Sequence, residues 1–202
     1  GVTYDTRSQL QVVREMQTKG LAVVPAVYPL GFYAPQPDGS LKSVFAIDGK
    51  EIAVLSGISN RPTVFCNESG DWVTYHSDQH GFHNPSGLWS SPSLDIVVLG
   101  DSYAHGVCVP SDRGFVAVIR KRYPATLNLA MAGSGPLIAL ANLKEYAAKF
   151  RPRTVLWFLY EENDFGDLQK ERKSVLLTRY LSGDFSQGLL DLQGDIDAAL
   201  ED

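Results

Sequence analysis

No stretch of the 202-residue sequence approaches the ~18 consecutive apolar residues that a membrane-spanning helix needs, so no span is expected. The opening segment GVTYDTRSQL is polar and lacks the apolar core of a secretory signal. The chain begins at Gly1 rather than Met, which fits a processing boundary and leaves the compartment open. Positive charge is scarce: 18 Lys and Arg stand against 23 Asp and Glu, for a net charge of −5. A sequence-independent nucleic-acid binder needs a positive field for phosphates, so nucleic acid is not an expected partner. The same deficit argues against an anionic membrane surface. There are only two cysteines, Cys66 and Cys108, and neither sits in a CxxC, so a four-Cys zinc site is excluded. They are either free thiols or a single bridge, and the sequence leaves both open; a bridge would imply an oxidising compartment. No GxGxxG or Walker A pattern supports nucleotide binding. Internal repeats and low-complexity tracts are absent, and no cofactor is implied.

What is present is enough apolar residue, 44%, for a substantial core. Residues 5–19 read as a helix capped by Asp5 or Thr6, with Leu10, Val13 and Met16 at helical spacing and Gly20 at its end. Pro25 interrupts the β-rich run 21–29, which makes it an edge strand or extended segment. Short strands are expected at 43–47 and 51–55, joined by a turn at Asp48-Gly49-Lys50, and a hairpin around 68–71. The polar, turn-rich stretch 76–93 reads as irregular surface loop. Its His76, His80 and His83 with Asp78 have spacings that suit a metal on a helix, but Gly81 and Pro85 argue against the helix, so no metal site is expected.

The texture changes near residue 90. LDIVVLG (94–100), TLNLAMAG (126–133) and TVLWFLY (154–160) are continuous apolar runs, the pattern of strands buried on both faces. Helical stretches fall at 114–124 and 136–150, and then at 168–180 and 186–201. This alternation predicts an α/β domain with a doubly wound parallel sheet over 91–202, and a mixed α/β segment over 1–90 packed against it.

Ligands of open parallel sheets bind at the carboxyl ends of the strands. Three such ends carry small or polar groups: Gly100-Asp101-Ser102-Tyr103, Asn128 to Gly135, and Glu161-Glu162-Asn163-Asp164. Ser102 follows a strand directly, so its Oγ can stay accessible as a nucleophile requires. Glycine at 133 lets backbone approach a substrate, and the Ser102 and Gly133 N–H groups with the Asn163 amide suit the charge of a tetrahedral intermediate. Taken singly, each has a plainer reading as a turn or a helix cap. Their order at successive strand ends favours the chemical one.

GDSY (100–103) resembles block I of the SGNH (GDSL-like) hydrolases. NLAMAG (128–133) is similar to block II, and EEND (161–164) to block III, usually GxND. The resemblance covers about residues 94–165. It implies a three-layer α/β/α flavodoxin-like fold and a serine-dependent esterase or acyl transferase acting on an O-acylated glycan or small ester. In it, Ser102 is nucleophile and first oxyanion donor, Gly133 the second and Asn163 the third. SDQHGFHNP (77–85) resembles a segment preceding GDS motifs in poorly characterised, often extracytoplasmic bacterial members, so an extracytoplasmic or periplasmic location is expected, with the cytoplasm as the alternative.

Two departures stand out. Glu161 replaces the block III glycine. The base of that family is a His in a C-terminal DxxH block, and no histidine follows His105 here. Within the chain the candidate bases are His105, His80 and His83. Asp101, Tyr103, Glu161 and Trp89 are candidate pocket residues, Trp89 as a stacking platform. Three readings remain: an enzyme whose base lies outside this chain, a non-catalytic acyl- or glycan-binding module, and an oligomer in which a neighbouring copy supplies the missing group.

Overall fold

The computed structural model describes residues 4–201. Ser8, not Asp5 or Thr6, caps the first helix, α1 (Gln9–Thr18). The Ser8 hydroxyl accepts the Gln11 N–H and the Gln11 side chain accepts the Ser8 N–H, satisfying two donors reciprocally. Asp5 is occupied by Arg7 instead.

The strands that follow are β1 (Val24–Pro25), β2 (Tyr33–Pro35), β3 (Leu41–Ser43), β4 (Ala46–Ile47), β5 (Lys50–Glu51), β6 (Pro62–Cys66) and β7 (Val73–His76). β6 and β7 form the expected hairpin, and β1 joins β6 in parallel as the edge that Pro25 predicts. β2 pairs with β3, and β4 with β5, in two small antiparallel ladders. The runs 43–47 and 51–55 are therefore not whole strands. Ile52–Leu55 are buried without a ladder because other groups satisfy their backbone: the Ile52 carbonyl accepts from Ser43 Oγ, and the Ala53 N–H donates to Gln187 Oε1.

The second half contains β8 (Ile96–Leu99), α2 (Ser102–His105), α3 (Phe115–Arg122), β9 (Thr126–Asn128), α4 (Pro136–Asn142), β10 (Thr154–Trp157), α5 (Asp164–Glu171), α6 (Val175–Thr178) and α7 (Gln193–Glu201). β8 lies between β9 and β10, and both pairings are parallel. The molecule is thus mixed α/β, with several small sheets and one parallel three-stranded sheet. All four β8 residues are buried, and they alternate. Ile96 and Val98 join a cluster with Val116 and Ile119 of α3, while Val97 and Leu99 join the main core with Ile138 and Ala141 of α4. That main core also takes in Tyr33, Ile52–Leu55 and Phe82, so residues on both sides of position 90 share it.

Several expected elements are shorter than their runs: β8 covers 96–99 of 94–100, β9 126–128 of 126–133 and β10 154–157 of 154–160. β9 ends at Asn128: the Leu129 and Met131 N–H groups still donate to the Val98 and Gly100 carbonyls, while Asn128 Oδ1 accepts the Ala130 N–H and Asn142 donates to the Leu129 carbonyl. The helix expected over 168–180 breaks where Ser174 caps a new one, its hydroxyl accepting the Leu177 N–H. After α4 the coil continues as a wider turn (Leu143–Ala147) and a tighter one (Ala148–Phe150), filling the expected 136–150.

Candidate functional site

In chain order the parallel sheet runs from β8 to β9 on one side and then crosses to β10 on the other. The strand order therefore reverses at β8, which opens a crevice outside the carboxyl ends of β8 and β10. Gly100 ends β8 with φ +152°, and a Cβ there would stand 2.8 Å from Ala104 Cβ and 3.0 Å from the Phe158 carbonyl oxygen. Only glycine lets β8 turn so sharply into α2 beside β10. Asp101 caps α2, its Oδ1 accepting the Tyr103 N–H at 3.0 Å.

The other carboxylate oxygen of this buried aspartate gathers the site. Ser102 Oγ and Asn163 Nδ2 each lie 3.4 Å from Asp101 Oδ2. Serine and asparagine, 61 positions apart, thus face one oxygen atom. Among the described residues, neither the Ser102 N–H nor the Gly133 N–H donates a hydrogen bond within the protein. Gly133 has φ +68°, its carbonyl accepts the Leu30 N–H, and a Cβ would come within 3.0 Å of Tyr28 Cβ. Around them, Tyr103 is exposed with its ring 4.9 Å from that of Tyr160, and Tyr160 Oη donates to Glu162. Glu161 is exposed. Asp164 is buried, which raises its pKa, and one of its oxygens accepts the Tyr160 N–H.

The histidines stand elsewhere. His105 lies on α2 but points into the protein: its Nδ1 accepts the Ala132 N–H at 2.9 Å, and its ring packs 4.5 Å from Phe65. With Nδ1 spent, Nε2 carries the hydrogen, so no lone pair remains for Ser102. Burial holds the ring neutral, well below the usual histidine range. It is a brace between α2 and the loop after β9, not a base. His80 packs against Trp89 and Tyr146, near Gln193 and Asp197 of α7. His83 bonds Ser111 and the His105 carbonyl. Trp89 is buried and spends its N–H on Asp78, so it offers no open stacking face at Ser102.

The stretch 76–93 is a correction as well. Asp78 is 3% exposed and accepts from the His80 and Phe82 N–H groups, Asn84 and Trp89. Asn84 in turn accepts from the Asn128 N–H and from Arg120. A polar composition hid a buried network, because hydrogen bonding rather than hydrophobicity lets these groups go inside. The signal was Asp78 followed by Gly81 and Phe82, an Asx-type turn around an apolar anchor. Ser111 carried no motif at all.

Cys66 and Cys108 are bridged, with Cα atoms 5.2 Å apart. The bridge ties β6 to the loop after α2. Among the described residues there is no group of three metal-ligating side chains, and no helix is long and apolar enough to cross a membrane. Comparison with protein families, curated proteins and solved structures finds no match for this chain.

Proposed function

We propose that this chain carries a serine-dependent acyl-ester site of the SGNH kind, hydrolysing or transferring the acyl group of an O-acylated glycan or small ester. The observation that supports it is the approach of Ser102 Oγ and Asn163 Nδ2 to the same oxygen of Asp101. The unspent N–H groups of Ser102 and Gly133 add to it. In this reading Ser102 attacks the acyl carbonyl. The Ser102 and Gly133 amides and the Asn163 side chain hold the oxyanion, where one such donor is worth about 10²–10³ in rate. Among the described residues no strand pairs with the outer edge of β10, and helices lie on both faces of β8, so we read the sheet as part of a three-layer flavodoxin-like domain. The Cys66–Cys108 bridge supports an extracytoplasmic location.

None of His80, His83 and His105 is hydrogen-bonded to Ser102: His83 bonds Ser111 and the His105 carbonyl, His105 Nδ1 accepts the Ala132 N–H, and His80 packs against Trp89 and Tyr146. The reading therefore calls for an imidazole from polypeptide outside residues 1–202, or from a neighbouring copy. That same feature favours a second reading, in which the pocket holds an acyl or glycan ligand without turnover. A fluorophosphonate probe on the longest natural chain separates the two. The enzyme reading expects a label on Ser102 that S102A abolishes and N163A slows about 10²-fold or more. An unlabelled Ser102 in the folded protein would overturn it in favour of the binding module.

A further inference from the structure

A second serine in this molecule already has a base. His83 Nδ1 lies 3.1 Å from the His105 carbonyl oxygen, which can only accept, so Nδ1 carries the hydrogen. The other ring nitrogen, Nε2, is then the acceptor for the Ser111 hydroxyl 2.7 Å away. The Tyr75 ring stacks on the imidazole at 4.3 Å and fixes its plane. Nucleophile, base and an orienting group thus stand in series, the arrangement that activates a serine.

The pair opens on space. A cavity of about 570 Å³ is lined by His83, Ser111, His76, Asn84, Trp89 and Arg120, among others. Ser111 is exposed at its rim. Arg120 donates Nε to the Thr126 carbonyl and Nη2 to Asn84, which leaves Nη1 without a partner among the described residues. No other arginine or lysine lines the cavity. Ser102 is not part of its wall.

We propose that Ser111 and His83 form a second nucleophilic site, acting on small carboxylic esters bound in this cavity with the carbonyl oxygen toward Arg120. Ser111 Oγ bonds to the acyl carbon as the ester C–O bond breaks, and His83 Nε2 passes the serine proton to the leaving alkoxide. Water, deprotonated by the same nitrogen, then releases the acid and restores Ser111. Burial and the nearby Arg120 charge hold the His83 pKa down at about 4, so the ring is neutral and free to accept at pH 7. Negative charge building on the acyl oxygen beside Arg120 offsets that guanidinium's effect and strengthens the base as the transition state forms.

Fluorophosphonate labelling of the 202-residue chain, with the modified serine located by mass spectrometry, tests this independently of Ser102. S102A should still label at Ser111, and S111A should not label there. H83Q should slow that label about 100-fold or more. The exposed position of Ser111 makes S111A safe for folding, so p-nitrophenyl acetate turnover by S102A against S102A/S111A gives a second readout, with a loss of at least about 10-fold expected. An unlabelled Ser111 in folded S102A overturns the proposal, as does a label or turnover indifferent to H83Q or S111A. A label at Ser111 with none at Ser102 would support this site and leave the reading of Ser102, whose base lies outside these residues, to the test on the longest natural chain.

Discussion

On one flank of β8 every residue of the neighbouring strand β9 is buried, whereas on the other flank β10 leaves Thr154, Val155 and Trp157 exposed. The sheet is the same and the pairing is parallel on both sides, so the difference lies in what covers it. The β9 flank is covered by the first ninety residues. Ala132, just beyond β9, packs with Ala26, Phe65 and Tyr75, and Asn84 accepts the Asn128 N–H. Beyond β10 the apolar Phe158, Leu159 and Phe165 stay exposed, and among the described residues no strand pairs with the outer edge. Burial on these flanks follows the N-terminal segment, not strand composition, since β9 (Thr-Leu-Asn) is less apolar than β10 (Thr-Val-Leu-Trp) and yet wholly buried.

The bridge on the covered flank is the first way to break that comparison. Cys66 and Cys108 are 42 positions apart, and cross-linking a loop of that length restricts the unfolded chain by about 4 kcal/mol. C66S/C108S should lose stability on that order in denaturant unfolding, with the β6–α2 region opening first by hydrogen exchange. Protection lost first at β10 instead would mean that the N-terminal cover holds without the bridge.

A buried carboxylate links the two flanks. Glu171, at the end of α5 on the β10 side, accepts the N–H groups of Gly135, Leu137 and Ile138 at the start of α4, which follows β9. Those donors favour its charge, but burial outweighs them and raises its pKa from 4.5 to about 7. The folded state therefore holds this proton more tightly than the unfolded one. Its stabilising contribution is full below pH 4.5 and is lost as pH rises through about 7, on the order of 3 kcal/mol in all. Thermal melts between pH 5 and 8 should show a decline that E171Q flattens; an unchanged slope in E171Q would assign the decline to another group.

The strand ends were readable because their chemistry is local. A glycine after a buried run, an aspartate that caps the next turn and an asparagine at the following strand end are visible as residue types at fixed spacing. What escaped reading depended on distant partners. Asn84 looked like loop polarity because its partners Arg120 and Asn128 lie 36 and 44 positions away. Ile52–Leu55 looked like a strand because nothing nearby announces that Ser43 and Gln187 take up their backbone groups. His105, three residues after Ser102, is a candidate base whose spacing already places its ring poorly for proton transfer. The turn of α2 sends it instead to the Ala132 amide.

One substitution made on both flanks measures the covering directly. Leu127 in β9 is 0% exposed and sits in the main core, while Leu159, just after β10, is 56% exposed. Leucine to alanine removes the same atoms at each position, so the side-chain chemistry cancels in the comparison. At Leu127 the lost transfer energy adds to a cavity that close packing cannot fill, and L127A should cost about 2–5 kcal/mol. At Leu159 water already reaches much of the side chain and can take the vacated space, so L159A should cost less than about 1 kcal/mol. The two variants should therefore differ by about 2 kcal/mol in urea unfolding of the same chain. A cost at Leu159 equal to that at Leu127 would mean that the β10 flank is covered in solution, and the contrast between the two sides of β8 would vanish.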